Sequence, residues 1–198
     1  YQKEIDFYNS YLPEVEVEKP QFYLVPQAYE QVIERLKLNQ VAMSTLESDT
    51  AIEVENYYIV DFKSPKKPYE GHFLHTEIEV EKKVEKRTFY KGDFLVSTDQ
   101  EANRYIISTL EPESVDGFFA WNFFEGILQQ KEWFSDYAFE PKAKKLLEEN
   151  KALEKELELK KKENAEFASD SWAQLYFIYQ RSPYFEKTVN RFPVSRIK

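Results

Sequence analysis

Hydrophobic and polar positions alternate along much of the first half of this chain. In Ala51–Phe62 (AIEVENYYIVDF), Ile52 and Val54 stand against Glu53 and Glu55. In Leu74–Val84 (LHTEIEVEKKV) the alternation runs longer: Leu74, Thr76, Ile78 and Val80 share one side, His75, Glu77, Glu79 and Glu81 the other. A period of two with one apolar and one wet face predicts antiparallel strands. Gln21–Val25, Phe94–Val96, Arg104–Leu110 (RYIISTL) and the tail Arg191–Ile197 read as further short strands, and Lys91-Gly92-Asp93 as a turn. Residues 1–20 read as an extended linker or edge strand, with Val15 and Val17 between Glu14, Glu16 and Glu18 and Pro20 closing it.

The helical period appears twice. After Pro26, apolar residues recur three and four apart at Ala28, Tyr29, Val32, Ile33 and Leu36, with Asn39 as the expected end. Pro141–Glu166 carries eight Lys and seven Glu with a narrow stripe of Leu146, Leu153 and Leu157. It predicts amphipathic helix lying on the sheet, or a short coiled-coil arm, with Asn150 capping a second helix. Asp170 is the expected cap of Trp172–Tyr179, which Pro183 stops. Glu111–Gly117 is a loop; Phe118–Gln130 reads as strand then helix. The expected fold class is α+β, mainly β: a jelly-roll-like antiparallel β-sandwich with one helix near the N-terminus and a helical C-terminal segment. The expected organisation is a linker (1–20), a sandwich core (21–140), and a helical segment with a final strand packing on that core (141–198).

Composition narrows the function classes. The 198 residues are 42% hydrophobic and 17% aromatic, enough for a real core. A formal net charge of −9 argues against a nucleic-acid backbone or an anionic lipid surface as partner. Cysteine is absent, which removes disulfides, thiolate nucleophiles and Cys-ligated metals. No apolar run reaches the ~20 residues of a membrane span. The chain begins at Tyr1 without Met, so it reads as a folded piece of a larger protein, any signal lying upstream.

Three clusters could carry chemistry. His72 and His75 are the only histidines; with Glu77 they could make three zinc ligands, but their odd spacing sends them to opposite strand faces unless Gly71 bulges. The plainer reading is one buried, hydrogen-bonded histidine and one exposed. Glu111, Glu113 and Asp116 share a loop and could hold Ca²⁺ or form an acid–base pair with His72; the plainer reading is a polar turn ion-paired to Arg104. Trp121, Phe123, Phe124 and Trp133, with the amides of Asn122, Gln129 and Gln130, could stack on sugar rings or pack against another domain. No nucleophile elbow and no glycine-rich phosphate loop occurs, which argues against serine hydrolase, kinase and dinucleotide enzymes.

Longer strings carry a resemblance. QFYLVPQAYEQVIERLKLNQV (21–41), PYEGHFLH (68–75), RYIISTLEPESVDGFFAWNFFEGILQQKEWFSDYAFE (104–139) and SPYFEKTVNRFPVSRI (182–197) resemble, in order, the region after the catalytic domain of large bacterial zinc carboxypeptidases of the carboxypeptidase A-like family. The resemblance implies a periplasmic or secreted metallopeptidase whose zinc sits in an upstream hydrolase domain. His72 and His75 are followed three residues on by His75 and Ile78, so neither forms the family's His-x-x-Glu motif, and no catalytic residue carries over. The expected role is a non-catalytic accessory domain packing on the peptidase domain. The alternatives are a carbohydrate- or peptidoglycan-binding module, or a stand-alone hydrolase using the 111–116 loop.

Overall fold

The computed structural model describes residues 2–13 and 15–198; Tyr1 and Glu14 of the expected linker lie outside them. The fold is α+β, with one six-stranded antiparallel sheet and six helices among the described residues. The chain divides into two compact units. One runs to Glu125 and takes back Asn190–Lys198; the other is Gly126–Val189. The division thus falls earlier than the expected break after residue 140, and the tail belongs with the first unit.

The first unit holds β1 (Phe22–Val25), β2 (Met43–Thr45), β3 (Thr50–Lys63), β4 (Thr76–Phe89), β5 (Phe94–Ser97) and β6 (Ser195–Ile197), with helices α1 (Glu30–Leu38) and α2 (Asn103–Leu110). The strand order is β2-β5-β1-β6-β3-β4. The long pair β3 and β4 keeps register from Thr50↔Phe89 to Ile59↔Val80, then shifts twice before Lys63↔Thr76. Residues 2–13 and 15–20 form no strand.

Three sequence expectations change here. Arg104–Leu110 is helix, not strand. Its Ile and Thr side chains favour strands, but Ile106 and Leu110, one helical turn apart, are both fully buried, and Thr109 Oγ1 donates back to the Tyr105 carbonyl at 2.8 Å. With that run helical, helix outweighs strand, so the chain is not mainly β. Among the described residues the strands join in one sheet, and the second sheet of the expected sandwich is not seen.

The wet face expected on β3 is not wet: Val54, Glu55, Asn56 and Tyr57 are all buried, because β3 is an interior strand covered on both faces. On β4, an edge strand, Ile78 and Val80 are only half-buried, Thr76 is exposed, and inward positions switch parity to Glu85, Arg87 and Phe89. Its charged residues discourage pairing with another chain.

Pro26 starts a turn rather than the helix, its carbonyl accepting from Tyr29 N–H, and α1 begins four residues later. It ends at Asn39 as expected, where Gln40 turns into the left-handed region.

The second unit is helical: α3 (Asp136–Glu149), α4 (Lys151–Glu163), α5 (Ala165–Ser169) and α6 (Ser171–Gln180). The expected caps form. Asn150 accepts from Leu153 N–H at 3.1 Å and Asp170 from Ala173 N–H at 2.9 Å. Leu153 and Leu157 are buried as the stripe predicts, but among helices of their own unit, with Phe139, Ala143, Phe167, Phe177, Ile178 and Tyr179. In the charged tract Lys145 pairs with Glu149, Glu158 with Lys161, and Glu156 with Arg181.

Candidate functional site

Within the first unit, residues 69–75 meet residues 116–125. Tyr69 and His72 exchange backbone hydrogen bonds of 2.8 and 2.9 Å around Glu70 (φ 49°) and Gly71 (φ 85°), a tight turn with two left-handed residues at its centre. The turn sets His72 edge-on to Trp121, ring centres 5.5 Å apart, and parallel to Phe123. Trp121 donates its indole N–H to Asp116 at 3.3 Å. His75 N–H donates to the Ala120 carbonyl at 3.0 Å, and the Asn122 amide donates to the Phe73 carbonyl at 2.9 Å. Asn122 takes φ 66°, a conformation its short polar side chain tolerates. Phe124 turns fully inward. Residues 111–124 are a series of turns, and a 3-10 turn spans Glu125–Ile127, in place of the strand and helix expected over 118–130.

His75 is 4% exposed, and both its ring nitrogens are engaged. Nδ1 lies 2.7 Å from Ser64 Oγ, and Nε2 lies 2.6 Å from Glu125 Oε1. Phe62 and Phe119 flank the ring at 4.3 and 5.0 Å. The Asn122 amide donates also to Glu125 Oε1, at 3.2 Å. Ser64 is exposed, just past the end of β3. Neither Ser64 nor Glu125 stood out in the sequence. One signal existed: pairing the two alternating runs antiparallel puts Lys63 opposite Thr76, and so Ser64 beside His75. Glu77 instead pairs with Lys63 and does not join the histidines. Among the described residues no three His, Asp or Glu gather as a metal site.

The acidic loop disperses. Asp116 serves Trp121. Glu113 is half-buried, and burial pushes its carboxyl above the ordinary value. It lines a cavity of about 260 Å³ with Val15, Val17, Ile107 and Glu111. Glu111 turns inward: it accepts from Tyr23 OH at 2.5 Å and lies 3.3 Å from Arg196 Nε. Arg196, 1% exposed, also donates to Glu55 at 2.8 Å, to Tyr57 OH at 2.5 Å and to the Glu18 carbonyl. The ion pair expected with Arg104 is therefore made by Arg196, from the far end of the chain. Glu111 does not join His72: it points to Tyr23 and Arg196, whereas His72 lies on Trp121 and Phe123.

Burial, followed by the charge of Glu111, raises the Tyr23 and Tyr57 hydroxyls well above the ordinary phenol value near 10. Above pH 10 the unfolded chain loses these protons while the folded one keeps them, so stability falls as pH rises. Unfolding titrations are expected to show stability unchanged by these groups below pH 9 and declining above pH 10, by roughly 1.4 kcal/mol per pH unit for each tyrosine. A shallower alkaline limb in Tyr23→Phe/Tyr57→Phe than in the parent chain checks the assignment; burial raises Tyr29, Tyr58, Tyr105 and Tyr179 as well, and these keep part of the slope.

Gln129, Gln130 and Trp133 belong to the helical unit. Gln129 is exposed, and Gln130 accepts from Tyr176 OH at 2.9 Å. Trp133 lies nearly parallel to Tyr176 (21°) and Trp172 (30°), and Trp172 lies parallel to Tyr176 at 5.1 Å. Trp133 and Trp172 are 59% and 44% exposed. Beside them opens a cavity of about 300 Å³ lined by Glu132, Trp133, Phe134, Lys142 and Tyr184. Trp172 and Tyr176 were read from the sequence only as an apolar helix face. No helix among the described residues is long and apolar enough to cross a membrane. Compared with protein-family models, curated proteins and solved structures, this chain matches none.

Proposed function

We propose that this chain is an accessory module of a larger zinc carboxypeptidase-like protein and packs on that protein's peptidase domain. On this reading the zinc and its ligands belong to the peptidase domain, and the whole works in the periplasm or outside the cell. One observation carries it. Between residues 5 and 12, Ile5, Phe7, Tyr8, Tyr11 and Leu12 are each 78–93% exposed in a segment without helix or strand. Fully burying such a side chain contributes roughly 1.5–3 kcal/mol, so a row of them in water fits a surface that covers another body. The resemblance of the quoted strings is what suggests a peptidase domain as that body.

The test is association of this chain with the separately expressed peptidase domain, read by calorimetry and by the melting temperature of the mixture. Binding is expected, with the triple variant Phe7→Ala/Tyr8→Ala/Tyr11→Ala at least tenfold weaker, about 1.4 kcal/mol. A peptidase domain that neither binds the chain nor is stabilised by it sinks the reading.

The exposed rings of Trp133 and Trp172, tilted by 30° to each other and both lying against Tyr176, which donates to the Gln130 amide, favour a second reading, a saccharide- or peptidoglycan-binding module. Quenching of tryptophan fluorescence by soluble glycan fragments, lost in Trp133→Ala, tests it.

A further inference from the structure

We infer that Ser64, His75 and Glu125 form a nucleophilic serine site that cleaves carboxylic esters. Two distances match such a site: nucleophile to base 2.7 Å, base to orienting carboxylate 2.6 Å. Their placement assigns the roles. Glu125 Oε1, 2.6 Å from Nε2, accepts the proton on that nitrogen and so selects the tautomer that leaves Nδ1 bare. The bare Nδ1 accepts the Ser64 hydroxyl. The base is buried between Phe62 and Phe119, which hold its ring plane, while Ser64 is exposed and can meet a substrate. The Asn122 amide donates to the Phe73 carbonyl and to Glu125 Oε1, which positions the carboxylate, and its nitrogen also lies 3.3 Å from His75 Nε2.

The ring is used in the reverse sense to the familiar serine triad, with serine on Nδ1 and carboxylate on Nε2. The acid–base requirement is the same, one bare and one protonated nitrogen. Exposed aromatics from the adjoining 69–73 turn, Tyr69 and Phe73, offer apolar surface to an acyl or aryl group.

The steps balance without a cofactor. Ser64 Oγ bonds to the ester carbonyl carbon as its proton passes to Nδ1. The tetrahedral adduct expels the alcohol, which takes that proton from Nδ1. Water then attacks the acyl-serine, delivers a proton to Nδ1, and the acid departs as Ser64 regains it. The sum is ester plus water to acid plus alcohol.

This inference stands apart from the accessory role, and its test needs only this chain. The chain is treated with a fluorophosphonate probe and with p-nitrophenyl acetate, and the labelled peptide is mapped by mass spectrometry. Covalent labelling at Ser64 and ester turnover are expected. Both should vanish in Ser64→Ala, which alters an exposed side chain and leaves the fold intact by circular dichroism. Glu125→Gln should slow labelling at least tenfold, because an amide no longer enforces the tautomer. His75→Gln should abolish it, with Ser64→Ala as the control where that buried change perturbs folding. A folded parent chain that is not labelled, or labelling that persists in Ser64→Ala, overturns the proposal.

Discussion

Arg196→Ala is expected to cost the first unit about 3–5 kcal/mol, the range for breaking a buried ion pair by removing one partner. The guanidinium is 1% exposed and holds Glu55 and Glu111, which are 8% and 3% exposed. Alanine leaves both carboxylates buried. Glu55 keeps partial relief from Lys198 at 3.1 Å, and Glu111 keeps the Tyr23 hydroxyl. Urea unfolding should show a lower midpoint at unchanged slope. The diagnostic comparison is Arg196→Met/Glu55→Gln/Glu111→Gln: removing all the charges together should recover much of the loss, since the penalty lies in the stranded charge. A cost for Arg196→Ala below about 1 kcal/mol would mean that the network holds nothing that water could not.

The second large effect is at Phe192. It is 1% exposed and meets Tyr57, Phe119 and Phe124 edge-to-face, with ring centres 6.5, 6.1 and 5.0 Å away. Its backbone N–H also donates to the Tyr57 carbonyl at 2.8 Å, which ties the chain's last residues to β3. Phe192→Ala should cost about 3–5 kcal/mol through lost burial and the cavity left behind. Phe192→Leu, closer in volume, should cost much less. If alanine and leucine cost the same, the edge-to-face contacts and not the volume carry the energy. Equal, small costs would mean that the tail is not a working part of the first unit.

Local chemistry was legible where it acts through near neighbours. The alternation of 51–62 and 74–84 named β3 and β4 because a pleated strand imposes a period of two whatever lies around it. Asn39, Asn150 and Asp170 were readable as helix boundaries because a cap is made by a side chain and an N–H or C=O within a few residues. RYIISTL was misread because strand propensity measures fit to a half-buried surface, and here the surface that buries Ile106 and Leu110 lies elsewhere in the fold.

The candidate site was legible in part. The sequence pointed to 68–75 and 121–133, and the fold brings the first of these together with Trp121, Asn122 and Phe123, while Gln129, Gln130 and Trp133 belong to the helical unit. It could not show that His75 rather than His72 is the engaged histidine. That choice depends on Ser64, eleven residues away, and Glu125, fifty residues away.

By itself, then, the sequence determined the long strand pair, the first helix, the capped helical segment and the acidic, cysteine-free character of the surface. Those follow from periodicity and from groups that satisfy each other along the chain. Tertiary structure alone decided which carboxylates go inside. Glu55 and Glu111 look like surface residues until Arg196, 141 and 85 positions further on, lies between them. Burying a charge is unfavourable until its partner arrives, and the partner's arrival is a property of the folded chain that no local pattern encodes.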